Sequence, residues 1–426
     1  MCEWWRSASF VVFAKNRVDF GTGDGYGARR FAFGAVGTTA APAFFVTARH
    51  AAIAGGVAWL RSASFWALPD GVMAAHDPLE VRVKVRILVG QPLQGPGSGM
   101  QNISSQKRTM ETAIKIFSGN AHRDLAARIA ARVGIPLSSA AVTRFPDGEI
   151  SVTIEETVRG RDVFLVQPTG LKPNEYLMEL LIMTDAARRA SAKRITAVIP
   201  FFAYARQDRK DRSRVPISAK LVANLLVAAG VDRVLTMDLH SPQIQGFFDI
   251  PVDHLFAAPL FVRHIKEKMD SANLTVLAPD AGGLKAAYTF SKLIGSGLAL
   301  AGKHRCTAEE VEAMEIVGDV SGRDCLLVDD MTTTAGTLCA AAGMAKESGA
   351  KSIRAIVSHC PITALGIERL KASPIEELIT TDSLPPQPWD GFPITVLSIA
   401  DLLGDAIKRI HGDETVSRLF EIHQGR

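Results

Sequence analysis

Hydrophobic and polar positions alternate in two rhythms from Met110 onward. Short apolar runs, typical of strands buried on both faces of a parallel sheet, alternate with longer segments whose apolar residues recur at helical spacing. The predicted strands are 114–117, 150–154, 163–166, 194–199, 233–237, 274–278, 298–301, 325–328, 353–357, 377–380 and 395–398, and the predicted helices include 124–133, 175–192 and 218–229. This alternation predicts an α/β fold, and the number of strands favours two doubly wound parallel-sheet units over one.

The stretch 324–337, DCLLVDDMTTTAGT, combines a predicted buried strand with acidic and hydroxyl side chains that could bind a ligand. Asp329 and Asp330 follow the apolar run, and a loop of small and hydroxyl residues leads into an alanine-rich helix. Backbone N–H groups at such a loop and helix N-terminus attract an anion, and paired acids suit ribose hydroxyls or a hydrated magnesium ion. An ordinary strand–helix turn with solvated acids explains the same pattern equally well.

Four further clusters follow predicted strands or turns. They are RFPDGE at 144–149, YARQDRKDR at 204–212, DLH at 238–240 and APDAGG at 278–283. Each has a bland explanation by itself: a hairpin, a solvated charged surface, a structural histidine or a plain turn. Sheets of this class bind ligands beyond the carboxyl ends of their strands. Together with 329–337, the clusters therefore predict one site along that edge.

A phosphate-binding P-loop is excluded at the one place where its spacing occurs. Residues 297–303, GLALAGK, are followed by His304 and not by the Ser or Thr that would bind magnesium, and their pattern is that of a strand. We instead predict that Lys303, His304 and Arg305 form a cationic tip after the strand, at the start of a mobile lid that reaches Ile316. Cations on a closing loop can neutralise a phosphoryl transition state.

Residues 1–109 differ from the rest in composition. They contain four of the five tryptophans and are rich in Lys and Arg, whereas the remainder of the chain is close to neutral, so its charge gives no argument for nucleic-acid binding. Arg49 and His50 interrupt the most apolar stretch, which is therefore a poor membrane span. A Gly/Pro/Ser/Gln linker fills 91–106. We expect residues 1–109 to be disordered or to precede the true start; an extra domain or targeting segment is the alternative.

The five cysteines include no C-x-x-C pair, so the sequence predicts neither a disulfide framework nor a zinc site. A reducing cytoplasm is the compartment that fits this usage.

From Met110 onward the chain resembles ribose-phosphate diphosphokinase, also called PRPP synthetase. The resemblance rests on DLHSPQIQGFF at 238–248, YARQD at 204–208, RVPISAK at 214–220 and VDDM at 328–331. It covers nearly all of 110–426 and none of 1–109. Within the family, these residues are most similar to the ATP-using class of bacteria and animals. Phosphoribosyltransferases share the VDDM motif and its loop alone.

The resemblance implies two domains of the phosphoribosyltransferase type after a non-homologous extension, 1–109. We expect an N-terminal α/β domain at 110–256, completed by the C-terminal segment 400–426. A second α/β domain, 257–399, then carries the PRPP-binding loop.

The implied reaction is a magnesium-dependent transfer of diphosphate from ATP to the anomeric hydroxyl of ribose 5-phosphate, which gives PRPP and AMP for nucleotide biosynthesis. The resemblance also implies a cytoplasmic homo-oligomer, usually a hexamer, with ADP and phosphate as effectors and no nucleic-acid or membrane partner. Two alternatives stay open: a phosphoribosyltransferase, and a non-catalytic regulatory homologue that binds nucleotides and partners.

The resemblance assigns roles to individual residues. The catalytic cations are Lys303 and Arg305; the ATP-binding residues are Asp147, Gly148, Glu149, Arg206, Gln207 and Asp208; ribose 5-phosphate is held by Arg305, Asp329, Asp330, Thr333, Thr334, Ala335, Gly336 and Thr337; the magnesium positions are His240 and Asp280, with Asp238 nearby and Asp249 and Asp253 as weaker candidates. The three residues at 147–149 are expected to approach the adenine of a neighbouring subunit.

The chain departs from the family pattern in two ways. Thr332 and Thr333 replace a hydrophobic–Asp pair, and His304 stands where a basic residue is common. We expect Thr333 to influence the sugar phosphate and the metal but to lie apart from the nucleotide contacts at Arg206 and Gln207.

Overall fold

The computed structural model describes residues 114–304, 313–387, 389 and 391–419, together with six short strands before residue 84. The chain forms two units, 1–100 and 101–426. In the first unit, β1 (Ser9–Val12), β2 (Phe44–Ala48) and β5 (Ala63–Trp66) form one antiparallel sheet, and β3 (Ala51–Ala54), β4 (Val57–Leu60) and β6 (Val81–Val83) form another. The remaining residues of 1–109 lie outside the described part, so the expectation for this segment stays a prediction.

The second unit contains a five-stranded parallel sheet. Its order is β13 (Val252–Leu255), β12 (Arg233–Met237), β11 (Arg194–Ile199), β10 (Asp162–Val166) and β7 (Ile114–Ser118). Helices α1 (Arg123–Val133), α2 (Pro173–Arg189) and α3 (Ser218–Ala229) connect the strands. A separate hairpin, β8 (Ala140–Arg144) and β9 (Ile150–Ile154), packs against α2.

A seven-stranded sheet follows. Its order is β16 (Ala313–Val317), β15 (Gly297–His304), β14 (Leu274–Ala278), β17 (Asp324–Met331), β18 (Ser352–His359), β19 (Glu377–Thr381) and β20 (Ile394–Leu397). Only β15 and β16 pair antiparallel among these described strands. The helices are α4 (Ala258–Lys268), α5 (Leu284–Ile294), α6 (Gly336–Glu347), α7 (Ala364–Ala372) and α8 (Ala400–His411). The prediction of two parallel-sheet α/β units is thus confirmed.

One hydrophobic core joins the two sheets. Phe164 of β10, Phe261 of α4 and Leu326 of β17 are fully buried members of it. Because such strands are covered on both faces, their sequences are continuous apolar runs, which is why they were predictable. Helix α8 packs against α1 so closely that a Cβ on Gly404 would lie 2.5 Å from Cγ of Arg132.

Several elements differ from the prediction. Strand β15 runs on to His304, so Lys303 and His304 lie within the strand and not in a tip after it. The main chain of Lys303 is paired with Met314 of β16. Strand β13 was missed because polar Asp253 and His254 interrupt its apolar pattern. No helix in the described part of the chain is both long and apolar enough to cross a membrane.

Candidate active site

The carboxyl ends of the two sheets are tied together by one buried histidine. His359 ends β18, and its Nε2 lies 3.2 Å from both the Met237 and the Asp238 carbonyl oxygens at the end of β12. Because both partners are acceptors, Nε2 carries the proton, and Nδ1 accepts the Ser383 hydroxyl at 2.7 Å. Burial lowers the pKa of His359, which fits this neutral form. Residues following β12 and β17 therefore share one edge.

The two adjacent acids of the second sheet belong to the strand itself. Asp329 and Asp330 are half-buried within β17, where Asp329 pairs with Val357 of β18. Burial, and then the charge of Asp330, raise the pKa of Asp329 to about 7. The two carboxylates therefore form a region of crowded negative charge that favours a proton, a cation or hydroxyl donors.

His240, which follows β12, meets this acid pair. Its Nδ1 lies 2.6 Å from Oδ2 of Asp330. That hydrogen bond raises the pKa of His240, against the opposing effect of burial. Burial alone would raise the pKa of Asp330, but the bond to His240 holds it below its ordinary value. A charged His–Asp pair thus links the two sheets.

The loop after β17 presents a helix N-terminus. The Arg369 guanidinium donates to the Thr334 carbonyl oxygen at 3.2 Å, and Ala335 has a left-handed φ of +52° just before α6 begins at Gly336. A Cβ on Gly336 would lie 3.3 Å from Nη1 of Arg369. Backbone N–H groups and a cation therefore meet where the sequence places the 5-phosphate, with Thr337 in the first turn of the helix.

Arg206 reaches this loop from the first sheet. It follows β11, and its Nη2 donates to the Thr333 hydroxyl at 2.9 Å. The expectation that Thr333 lies apart from Arg206 is therefore wrong. The main-chain carbonyl oxygen of Gln207 accepts the Ala219 N–H at 3.2 Å, beside the start of α3. The charge of Asp208 contributes to the raised pKa of His240, so this acid lies close enough to interact with His240 electrostatically.

The other metal candidates make structural contacts. Asp238 accepts the Ala257 N–H at 3.0 Å, and burial raises its pKa. Asp280, at an exposed turn after β14, accepts the Gly283 N–H at 3.0 Å. Asp253 pairs with Arg233 at 2.6 Å toward the amino end of β12, and Asp249 is exposed. Among the described residues, no three His, Cys, Asp or Glu side chains converge as a metal cluster.

The hairpin tip with Asp147, Gly148 and Glu149 is exposed. Its hydrogen bonds are local: the Glu149 N–H donates to Oδ1 of Asp147 at 3.2 Å, and Gly148 has a φ of +97°. At the base of the tip, Arg144 pairs with Glu175 of α2 at 2.7 Å. The structure thus presents the tip to solvent.

The two expected catalytic cations are only partly described. The backbone of Lys303 lies in β15, three residues beyond Leu300, which pairs with Ala278 at the end of β14. Lys303 is therefore carried to the same edge as the Asp280 turn. Arg305 lies outside the described residues, as does most of the expected lid.

Sequence reasoning missed several supporting residues. His359, His254 and Arg369 fix the loops that carry the chemistry, yet none stands in a recognised cluster. His254, in β13, accepts the Leu239 N–H at 2.9 Å through Nε2. Only His359 gave a local signal, as a histidine just after a predicted strand.

Comparison with known proteins gives consistent results for this unit. A model of the N-terminal domain of ribose phosphate pyrophosphokinase matches residues 114–230, and a phosphoribosyl synthetase-associated domain matches residues 299–421. Ribose-phosphate pyrophosphokinase of Agrobacterium fabrum is 51% identical over 312 residues, which are 72% of this chain and 100% of that protein. The Chlorobaculum tepidum protein of the same name is 51% identical, over 73% of this chain and 96% of that one.

A solved structure agrees with these relatives. The crystal structure of phosphoribosylpyrophosphate synthetase from Mycobacterium smegmatis superposes with a TM-score of 0.67 at 41% identity. The match covers 71% of this chain and 100% of that one.

Proposed function

The chain belongs to the ribose-phosphate pyrophosphokinase family, and we propose that its site transfers diphosphate from ATP to ribose 5-phosphate. The anomeric oxygen attacks the β-phosphorus, the bond between that phosphorus and the α,β-bridging oxygen breaks, and AMP leaves while the anomeric hydroxyl loses its proton. The observation that carries the proposal is the pair of contacts, His240–Asp330 and Arg206–Thr333, that joins the two sheets. A phosphoribosyltransferase would need the second sheet's loop but not the two residues from the first.

The described residues support a division of labour. Asp329 and Asp330 would accept hydrogen bonds from the ribose hydroxyls, while 333–337 would hold the 5-phosphate on backbone N–H groups. Arg206, Gln207 and Asp208 would hold the nucleotide. Phosphoryl transfer does not require a covalent intermediate with the protein. These groups can therefore catalyse it by positioning the substrates and stabilising charge.

The donors fit a magnesium ion at the same edge. Burial, and then the charge of Asp330, raise the pKa of Asp329, and a cation bound beside the two acids would favour their ionised forms. Asp280 could add a carboxylate ligand, and His240 could add its imidazole only after losing the proton that its bond to Asp330 favours, whereas Asp238 is already engaged with the Ala257 N–H. When bound, magnesium supplies charge neutralisation for the phosphate oxygens.

We also propose Lys303 and Arg305 as the cations that neutralise charge developing on the transferred group. Asp147, Gly148 and Glu149 would contact adenine across a subunit boundary, and their exposure supports that role. By analogy with the family, we further propose a cytoplasmic homo-oligomer with ADP and phosphate as effectors. Exposed apolar side chains on α2 and α3, Met178, Leu221 and Leu225, offer surface for assembly.

We propose residues 110–426 as the catalytic unit, with domains at 110–256 and 257–399. The packing of α8 on α1 supports completion of the first domain by 400–426. A truncated chain that starts at Met110 should remain folded and active. Insoluble or inactive truncated protein would instead assign a structural role to residues 1–109.

The deciding experiment measures AMP formation from ATP with and without ribose 5-phosphate, in the presence of magnesium. We expect AMP and PRPP in equal amounts, and only when both substrates are present. Consumption of PRPP with a free base would favour a phosphoribosyltransferase. Nucleotide binding without turnover would favour the regulatory homologue.

A further inference from the structure

Arg206 and Thr333 make a direct bond between the two halves of the site. Arg206 follows β11 of the first sheet, and Thr333 lies in the loop after β17 of the second. The guanidinium Nη2 donates to the Thr333 hydroxyl at 2.9 Å. The exposed Arg206 side chain, which would bind nucleotide, is therefore hydrogen-bonded to the loop that would bind the sugar phosphate.

Thr333 is a fixed anchor. Its carbonyl oxygen accepts the Thr363 N–H at 2.9 Å and the Thr363 hydroxyl at 3.2 Å. A Cβ on Gly366 would lie 2.8 Å from the same oxygen, so α7 approaches it closely. Because these contacts hold the Thr333 backbone, its short side chain has less freedom than the longer, more flexible arginine that it contacts.

The Thr333 hydroxyl is neutral, so it orients the Arg206 guanidinium without neutralising its charge. Within the described residues, no carboxylate oxygen lies within the 4.0 Å of an ion pair with Arg206. A guanidinium has five N–H donors, and the bond to Thr333 uses one of them. Arg206 thus keeps its charge and most of its donors for another anion. A carboxylate at position 333 would instead compete with that anion for the guanidinium.

We propose that Thr333 is a positioning residue for the nucleotide, which holds Arg206 toward the ATP phosphates without cancelling its charge. The inference rests on the proposed function, since it needs ATP to bind beside Arg206. It assigns to the sugar-phosphate loop a role in binding the other substrate. The position of the sugar-phosphate loop then determines the orientation of Arg206 through one hydrogen bond.

Three substitutions separate this role from a structural one. Thr333→Val keeps the shape and removes the hydroxyl, so KM for ATP should rise about tenfold, the size expected for a hydrogen bond to a charged group. Thr333→Ser should return KM for ATP to within about twofold of the original value, because it restores the acceptor. Thr333→Asp should also raise KM for ATP about tenfold, because the carboxylate would engage the guanidinium.

The decisive measurement is a double-mutant cycle with Arg206→Ala. If Thr333 acts through Arg206, Thr333→Val should not raise KM for ATP further in the Arg206→Ala background. Additive effects, or a change confined to KM for ribose 5-phosphate, would overturn the proposal. Thermal unfolding of each variant checks that the fold is kept, and Thr333→Ser gives the rescue that general damage would not show.

Failure of the proposed function would be seen separately. An unmodified chain that forms no AMP from ATP and ribose 5-phosphate would contradict that function. In that event, calorimetric titration with a non-hydrolysable ATP analogue still compares the original chain with Thr333→Val. Equal affinities would overturn the positioning role, and weaker binding by the variant would support it.

Discussion

Two loops at the shared edge are held in different ways. The phosphate loop, residues 332–337 after β17, is held by partners that, among the described residues, include no imidazole. Thr363 donates to the Thr333 carbonyl oxygen, the Arg369 guanidinium donates to that of Thr334, and Ala335 takes a left-handed φ. The histidine loop, residues 238–241 after β12, depends instead on two buried imidazoles. His254 accepts its Leu239 N–H, and His359 donates to the carbonyl oxygens at its start.

The difference teaches that the two halves of the site respond to different perturbations. No imidazole is among the partners of the phosphate loop described above, so we expect it to respond less to mild acid than the histidine loop. A loop held by buried imidazoles requires them to be neutral, so it weakens when they are protonated or removed. The predictions below test this contrast.

The largest effect is expected where the loops meet. Asp330→Asn removes the carboxylate that pairs with His240, and we expect kcat/KM to fall about 10²–10³-fold, as for loss of one preorganised electrostatic contact. Asp324→Asn is the matched control, since Asp324 lies at the other end of β17 and bonds to Ser352 at 2.6 Å. It should leave steady-state kinetics nearly unchanged. Equal losses in both variants would mean that Asp330 acts only through stability.

The phosphate loop was predictable because its information is contiguous. Strand, acids, hydroxyl residues and helix follow one another in 324–337, and the structure has them in that order. The same holds for the central strands, whose burial on both faces leaves an unbroken apolar signal. Edge elements such as β13 and β16 lack that signal. Polar Asp253 and His254 interrupt β13, and residues 315–317 of β16 are exposed or only partly buried.

The histidine loop was only half predictable. His240 stood in a recognisable cluster, but the two histidines that support it lie at 254 and 359. No spacing rule relates these positions, because their proximity is created by the order of strands in two sheets. For the same reason the sequence put Thr333 and Arg206 in separate subsites. Contacts between two sheets are set by the fold and not by local pattern.

The second prediction removes the tie between the sheets. His359→Leu leaves the Met237 and Asp238 carbonyl oxygens without their buried donor, and we expect the free energy of unfolding to fall by about 2–3 kcal/mol. Urea denaturation measures the change. Ser383→Ala, which removes only the partner of Nδ1, should have the smaller effect. If Ser383→Ala were equally damaging, support of the histidine loop would not explain the loss.

The third prediction concerns pH. Burial is the main cause that lowers the pKa of His254 to about 4, while an unfolded histidine titrates near 6.5. Between these values the unfolded chain binds the extra proton, so stability is full above pH 6.5 and declines as pH falls toward 4. From pH 7 to 5.5 this single group should remove about 1 kcal/mol.

His254→Gln tests the assignment, because glutamine keeps a polar acceptor but does not titrate. Urea denaturation of both proteins at the two pH values gives the comparison. The variant should lose about 1 kcal/mol less than the original chain over that interval. Identical pH dependence would show that His254 is not the responsible group.

The smallest effect is expected in the phosphate loop. Ala335 has a φ of +52° and is buried, so its left-handed backbone is strained by about 1–2 kcal/mol relative to glycine. Ala335→Gly relieves that strain but loses about 0.5–1 kcal/mol through the greater freedom of the unfolded chain, along with the buried methyl group. The opposing effects should leave the free energy of unfolding within about 1 kcal/mol of its original value, and KM for ribose 5-phosphate nearly unchanged. Ala335→Val is the contrasting variant, since a β-branched residue resists positive φ and should destabilise the loop clearly. If glycine were as damaging as valine, side-chain packing and not backbone conformation would hold this loop, and the contrast with the histidine loop would fail.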